Sequence, residues 1–196
     1  MSRFHPVVVD IDMTLTSEWY KNDEVSFLRP FEPMVNLTLE FQKEGVPIVV
    51  STARPERLRE SSLKWLSRNG ILPTGLQMRG NHDNRPDPLV KGDQARKILD
   101  TWGSVSLWYD DNEGNGKVIQ ELGIQFFLVN QSKKSVEQEL ETSKFKILES
   151  FRGRRVRRER RETLRNMSAL NSYASSITPE EQEKVANLMV EHLKTR

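Results

Sequence analysis

No cysteine occurs among the 196 residues, so a disulfide framework, a thiolate metal site and a cysteine nucleophile are all excluded. Histidine is nearly as scarce, at three. His82 lies near other polar residues, but no second histidine stands at metal-site spacing from it, so it reads as a loop residue. No uninterrupted apolar run approaches the roughly 20 residues of a membrane helix, and no charged segment leads into an apolar leader. The expectation is a soluble, cytoplasmic protein with no membrane partner. The pattern Gly-x-x-x-x-Gly-Lys-[Ser/Thr] is also missing, which excludes a P-loop nucleotide site. Aromatics are missing from the arginine-rich stretch Arg152–Arg165, so base stacking on a nucleic acid would have to come from elsewhere in the chain.

What is present is uneven. The net charge of +2 conceals eight arginines and two glutamates between Phe151 and Arg165, a local +6 that leaves the remainder at −4. Localised basicity points to a polyanion more sharply than overall charge does. The opposite signal opens the chain. Val7-Val8-Val9-Asp10-Ile11-Asp12-Met13-Thr14 is an apolar run closed by two carboxylates spaced two apart. On an extended backbone residues i and i+2 point the same way. Ligands in parallel α/β sheets bind beyond the carboxyl ends of such strands. Two neighbouring anions repel, and a hard cation such as Mg²⁺ suits oxygen ligands.

The hydrophobic period alternates between strand and helix over the first two-thirds of the chain. Strands are expected at Pro6–Asp10, Val46–Ser51, Leu76–Met78, Val105–Tyr109 and Ile124–Val129. Helices are expected at Pro33–Glu44, Pro55–Asn69, Leu89–Thr101 and Gly114–Leu122, with Gly45, Gly70, Gly103 and Gly123 at or near their C-caps. This is an α/β domain with a mostly parallel central sheet and helices on both faces. It is expected to fill residues 1–131, followed at 132–196 by a charged, mainly helical C-terminal extension. Asn171–Ser176 reads as a polar linker. Thr178, Pro179 and Glu181 then start a last helix whose apolar face, Val185, Leu188, Met189 and Leu193, offers a contact for the domain or for a homo-oligomer.

Three further groups carry chemistry. Asp110-Asp111 closes the strand ending at Tyr109, and four carboxylates converging there with Asp10 and Asp12 require a metal. By itself, that pair also fits a turn before a helix N-cap. Thr52, in Ser51-Thr52-Ala53-Arg54-Pro55, offers a hydroxyl and following N–H groups as a phosphate cradle, with Arg54 as a bidentate donor. A plain N-cap is the other reading of Thr52. Lys91, near a helix start, sits against the helix dipole and calls for compensation by a phosphate or by Asp10. Arg79 and Arg85 either orient a substrate or pair with Asp83 and Asp87 to hold their loop.

Asp10-x-Asp12-x-Thr14, Thr52, Lys91 and Asp110-Asp111, in this order over about Pro6 to Val129, resemble the four motifs of the haloacid dehalogenase superfamily of phosphatases. The loop Asp83-x-Arg85-x-Asp87-x-x-x-Lys91 after Gln77-Met78-Arg79 further resembles the 3′-phosphatase domain of phage polynucleotide kinase/phosphatase proteins. Thr52-Ala53-Arg54 is similar to that domain's Ser-Gly-Arg, and Met13 departs from a usual glycine. The resemblance implies a Rossmann-like fold with Asp10 as nucleophile, Asp12 as general acid/base, and Thr52 and Lys91 on the phosphoryl group. It also implies Mg²⁺ on Asp10, on Asp12 through its backbone carbonyl, and on one or both of Asp110 and Asp111, with Thr14, Arg54, Arg79, Arg85 and Asp87 facing the substrate. The kinase half is absent. The phage-like pattern points to a viral gene acting in the host cytoplasm.

The connections leave no room for a sizeable cap, so the site is expected to be open to a large substrate. Three readings stand: removal of 3′-phosphate from polynucleotide ends, a small-molecule phosphatase acting on nucleotides or sugar phosphates, and a non-catalytic scaffold for a nucleic-acid-binding arm. The arginine run either tracks a phosphate backbone or is a solvated tail.

Overall fold

The computed structural model describes residues 5–20, 25–176 and 178. Five parallel strands form one sheet: β1 (Val7–Val9), β2 (Ile48–Pro55), β3 (Gly75–Arg79), β4 (Leu107–Asp110) and β5 (Phe126–Leu128), in the order β3-β2-β1-β4-β5. Between them lie α1 (Glu32–Lys43), α2 (Arg59–Arg68) after a 3₁₀ turn at Glu56–Leu58, α3 (Asp87–Trp102) and α4 (Glu113–Glu121). The five expected strands and the four helices expected between them are there. Gly45, Gly70, Gly103 and Gly123, each at a helix end, take positive φ of 75–78°, the left-handed conformation in which a side chain is costly.

The two-residue strand period splits the core. Val7, Val9, Ile48, Val50, Leu107 and Tyr109 face one side of the sheet and pack with α1 and α2, whereas Val8, Val49 and Trp108 face the other, with Ala95 and Ile98 of α3 and Ile119 of α4. This follows from right-handed crossovers: the sheet grows one way from β1 to β3 and then the other way through β4 and β5, so the helices must change face. At Gly116 a Cβ would lie 2.5 Å from the Phe126 ring, so only glycine lets α4 approach β5 this closely.

Beyond β5 the structure departs from expectation. A single helix, α5 (Val136–Ser176), runs through the segment expected to be a linker, because nothing between Arg154 and Ser176 is a glycine or proline able to end it. Its first turns belong to the core. Val136, Leu140, Ile147, Leu148 and Phe151 are buried against the α1 face, and Tyr109 meets Ser143 Oγ at 2.7 Å. The chain divides into compact units at Met1–Phe151 and Arg152–Arg196, so the boundary falls twenty residues beyond the expected 131. The expected terminal helix over Pro179–Leu193 lies outside the described residues. Among the described residues no helix is long and apolar enough to cross a membrane.

Candidate active site

The strand order reverses between β1 and β4, and the crevice at such a switch point is where parallel α/β folds bind ligands. Pairing of Val9 with Tyr109 brings Asp10, just past β1, beside Asp110 at the end of β4, and the Asp10 amide donates to the Tyr109 carbonyl at 2.9 Å. Lys91 of α3 rises between them. Its Nζ lies 2.5 Å from Asp10 Oδ1, 2.5 Å from the Ser51 carbonyl and 3.0 Å from Asp110 Oδ2. Burial disfavours the Lys91 cation, but Asp10 and Asp110 outweigh that and hold its pKa above the ordinary lysine value. The expected compensation of Lys91 by Asp10 is present.

The acids are less well compensated. Burial, together with Asp110 and Asp12, raises the Asp10 pKa well above the usual carboxylate range against the pull of Lys91. Asp111 is pushed up to about 6, first by burial and then by Asp110. Asp10, Asp110 and Asp111 each offer a carboxylate oxygen within 4.8 Å of the others. Three hard oxygen donors in excess of the local positive charge fit Mg²⁺. Asp110 is oriented for this from behind, its Oδ1 accepting from the Asn112 amide at 3.0 Å and from Asn115 Nδ2 at 2.9 Å.

Asp12, expected to offer a metal its backbone carbonyl, brings no carboxylate oxygen to that cluster. It turns to Arg54, which donates to it through Nε at 2.9 Å and Nη2 at 2.7 Å. Arg54 is 1% exposed, bonded also to Ser62 Oγ at 3.1 Å and set 5.4 Å from the centre of the Tyr20 ring. The reach of Arg54 comes from an irregularity in β2. Between Ser51 and Pro55 the strand gains residues relative to β3, and such a bulge re-aims side chains. Thr52 therefore sits within β2 and is not a helix N-cap; its Oγ1 accepts from the Arg54 amide at 3.2 Å.

The loop after β1 is tightly tied. Thr14, Leu15 and Thr16 amides all donate to the Ile11 carbonyl, and Gln131 Nε2 donates to the Met13 and Thr16 carbonyls at 2.6 and 2.8 Å. Met13 takes φ of +55°, which costs a side-chain-bearing residue about 1–2 kcal/mol and explains why glycine suits the position. The Thr14 hydroxyl is fully buried with no partner, a donor left for a ligand.

Arg79 and Arg85 take the loop-holding role in this state. Arg79 pairs with Asp87 and donates to the Ala53, Asp83 and Arg85 carbonyls; Arg85 pairs with Asp83 at 2.8 Å and Asp93 at 2.9 Å. The side-chain bond from Arg85 lowers the Asp83 pKa to about 2. These residues nevertheless wall a cleft of about 630 Å³ with Asp12, Trp19, Tyr20, Arg54 and Arg57. His82 is an exposed loop residue. Residues the sequence reading missed are Asn115, Gln131, Ser62 and Gln94, which bonds Ser51 Oγ at 2.6 Å and the Thr52 carbonyl at 3.0 Å. Gln94 left a signal: with Lys91 it interrupts the apolar face of Val90, Ala95 and Ile98. Gln131 and Ser62 left none.

The four acids, Lys91 and Thr52 thus meet at one sheet edge. Residues 5–133 match the family model of the polynucleotide kinase PNKP phosphatase domain. Among solved structures, the chain resembles one in the Pnkp1/Rnl/Hen1 RNA repair complex, at 21% identity over 64% of this chain and 42% of that one, with a TM-score of 0.58. A putative haloacid dehalogenase-like phosphatase from Mesorhizobium loti matches at 13% identity over 74% of this chain and 87% of its own, with a TM-score of 0.57. The haloacid dehalogenase domain of the effector Lem4 from Legionella pneumophila matches at 14% over 71% and 93%, with a TM-score of 0.51. At these identities the likeness concerns the fold, and this chain spans less than half the length of the chains from the RNA repair complex. No curated protein sequence matches. With two-thirds of its length matched by the family model, the chain belongs to the polynucleotide kinase PNKP phosphatase domains, which are haloacid dehalogenase-type phosphatases.

Proposed function

We propose that this phosphatase removes 3′-phosphates from polynucleotide ends, with Asp10 as nucleophile. The observation that carries the reading is Asp10 in the β1/β4 crevice, held by Lys91 and two residues from Asp12, which lines an open cleft with Arg54, Arg57, Arg79 and Arg85. An Asp10 carboxylate oxygen attacks phosphorus in line, forming the acyl phosphate as the bond to the 3′ oxygen breaks. Asp12 gives its proton to the departing alkoxide. It then takes a proton from water, whose oxygen attacks phosphorus, releases inorganic phosphate and frees Asp10. Lys91 and the Thr52 hydroxyl hold the phosphoryl oxygens, and Thr14 adds its unpartnered hydroxyl. Arg54 positions Asp12, and shares its guanidinium with the substrate when Asp12 turns to the leaving group. Asp10, Asp110, Asp111 and the Asp12 carbonyl would hold Mg²⁺, which offsets the repulsion between nucleophile and phosphoryl group.

An open cleft with Trp19 and Tyr20 in its wall suits a terminal nucleoside still attached to a strand, and the fold of a chain in an RNA repair complex supports a place in end repair. The test compares phosphate release from 3′-phosphorylated oligonucleotide, 5′-phosphorylated oligonucleotide and mononucleotide, with Mg²⁺ and with EDTA. The 3′-phosphorylated strand should lead in kcat/KM by more than about tenfold, with EDTA silencing every reaction. Equal use of the mononucleotide overturns the polymer reading. Undiminished release in EDTA overturns the metal.

A further inference from the structure

From Arg155 to Ala169 every side chain of α5 is exposed, in a stretch whose charge the catalytic mechanism does not use. Its charges are sorted by helix geometry. Arg155 reaches Glu159 at 3.1 Å and Arg158 reaches Glu162 at 2.8 Å, both pairs at i, i+4. Arg154, Arg157, Arg161 and Arg165, spaced three, four and four apart, fall along one face with Arg158 at its margin, whereas Glu159 lies toward the opposite face and Glu162 about a quarter-turn round. At 1.5 Å of rise per residue the stripe is about 16 Å long. Arg157 sits close enough to Arg154 to help lower its pKa, with burial the larger cause. Like charges at this spacing weaken an isolated helix, so helix formation does not account for the stripe.

We propose that the Arg154/Arg157/Arg161/Arg165 face of α5 is a nucleic-acid-backbone binding surface, independent of sequence and of any terminal phosphate. A strand of duplex presents one phosphate per about 3.4 Å of rise, so each guanidinium along 16 Å meets its own phosphate. The segment from Phe151 to Arg165 contains arginine and no lysine, and the guanidinium fork matches phosphate oxygens bidentately. An anionic membrane is the weaker occupant: it requires a continuous apolar face opposite the charges, and here the exposed Val156 and Met167 on that side are interrupted by Glu159, Arg160 and Thr163. Holding the polymer on the same chain as the active site raises the effective concentration of its ends, lowering KM for long substrates and leaving small esters unaffected.

The choice of polymer rests on the polynucleotide reading above, so binding is measured on an oligonucleotide ending in a 3′-hydroxyl, which the phosphatase cannot use. Full-length protein, Arg157→Gln/Arg161→Gln/Arg165→Gln, the same three positions changed to lysine, and Arg155→Gln/Arg158→Gln are titrated across salt concentrations. The glutamine triple should lower the slope of log affinity against log salt by about 2, at roughly 0.7 per single-strand phosphate lost. The lysine triple should keep the slope, and the Glu-paired double should lose less than half as much. Hydrolysis of a small phosphoester should be the same in all four. An unchanged slope in the glutamine triple, equal loss in the paired double, or loss in the lysine triple overturns the proposal. So does equal binding of polyglutamate or of phosphatidylserine vesicles. A failed 3′-phosphate preference leaves these slopes standing and counts against the substrate reading alone.

Discussion

Lys91 and the arginines of α5 carry the same charge in opposite settings. Lys91 is 1% exposed and meets Asp10, 81 residues away along the chain. Arg155 is exposed and finds Glu159 one helical turn away. The first pairing exists only because β1, β4 and α3 converge, and it is strong because water is excluded. The second requires nothing but a helix, and water screens it. In this chain, the candidate site is built from distant charges held dry, whereas the arginine face of α5 is built from local charges left wet.

Four measurements sharpen that contrast or break it. The largest effect belongs to Asp10→Asn, which should cut turnover by at least about 10³-fold while the protein stays folded, since Asp110 still compensates Lys91. Phosphate release together with near-ultraviolet circular dichroism checks both halves, and wild-type turnover in a folded variant rejects Asp10 as nucleophile. Next is Lys91→Met, which leaves Asp10 and Asp110 buried without their cation and should destabilise the fold by about 3–5 kcal/mol in urea unfolding. Adding Asp10→Asn to that variant should recover part of the loss; strict additivity would mean that the pair is not coupled.

A smaller effect concerns pH. Native Asp111 keeps its proton up to about 6, whereas the unfolded chain releases it near the ordinary aspartate value. Between those limits the native state binds more protons, so metal-free protein should lose stability as pH rises from about 4 to about 6. Thermal melts in EDTA follow this, and Asp111→Asn should flatten that part of the curve. The smallest effect is expected for Glu159→Gln, at no more than about 0.5 kcal/mol, with helical circular dichroism almost unchanged. A loss as large as that of Lys91→Met would erase the distinction between wet and dry pairs.

Much of the site was legible because motif residues follow strand ends. Once Val7–Val9 is a buried strand, Asp10 must emerge at its carboxyl edge, and Tyr109 before Asp110 repeats the arrangement. The glycines at 45, 70, 103 and 123 marked helix ends because positive φ is a local demand. Asp12 was harder to place. Nothing in its sequence neighbourhood pointed to the partner of its carboxylate, Arg54, which arrives through the irregular stretch of β2. The extent of the core was underestimated for a related reason. The apolar positions between Val136 and Phe151 are diluted by charge, and their partners lie on α1 and β4.

By itself, the sequence determined what depends on neighbours a few residues apart: strand and helix periods, the caps, the i, i+4 pairs of α5 and the chemical types of the acids. Only the tertiary structure decided which acid faces which cation. It set Lys91 between Asp10 and Asp110, gave Asp12 to Arg54, and left Asp111 short of countercharge with its pKa at about 6. The physical reason is that helix and turn preferences act within a few residues, whereas burial and Coulomb energies depend on distances and dielectric that exist only once the sheet has assembled.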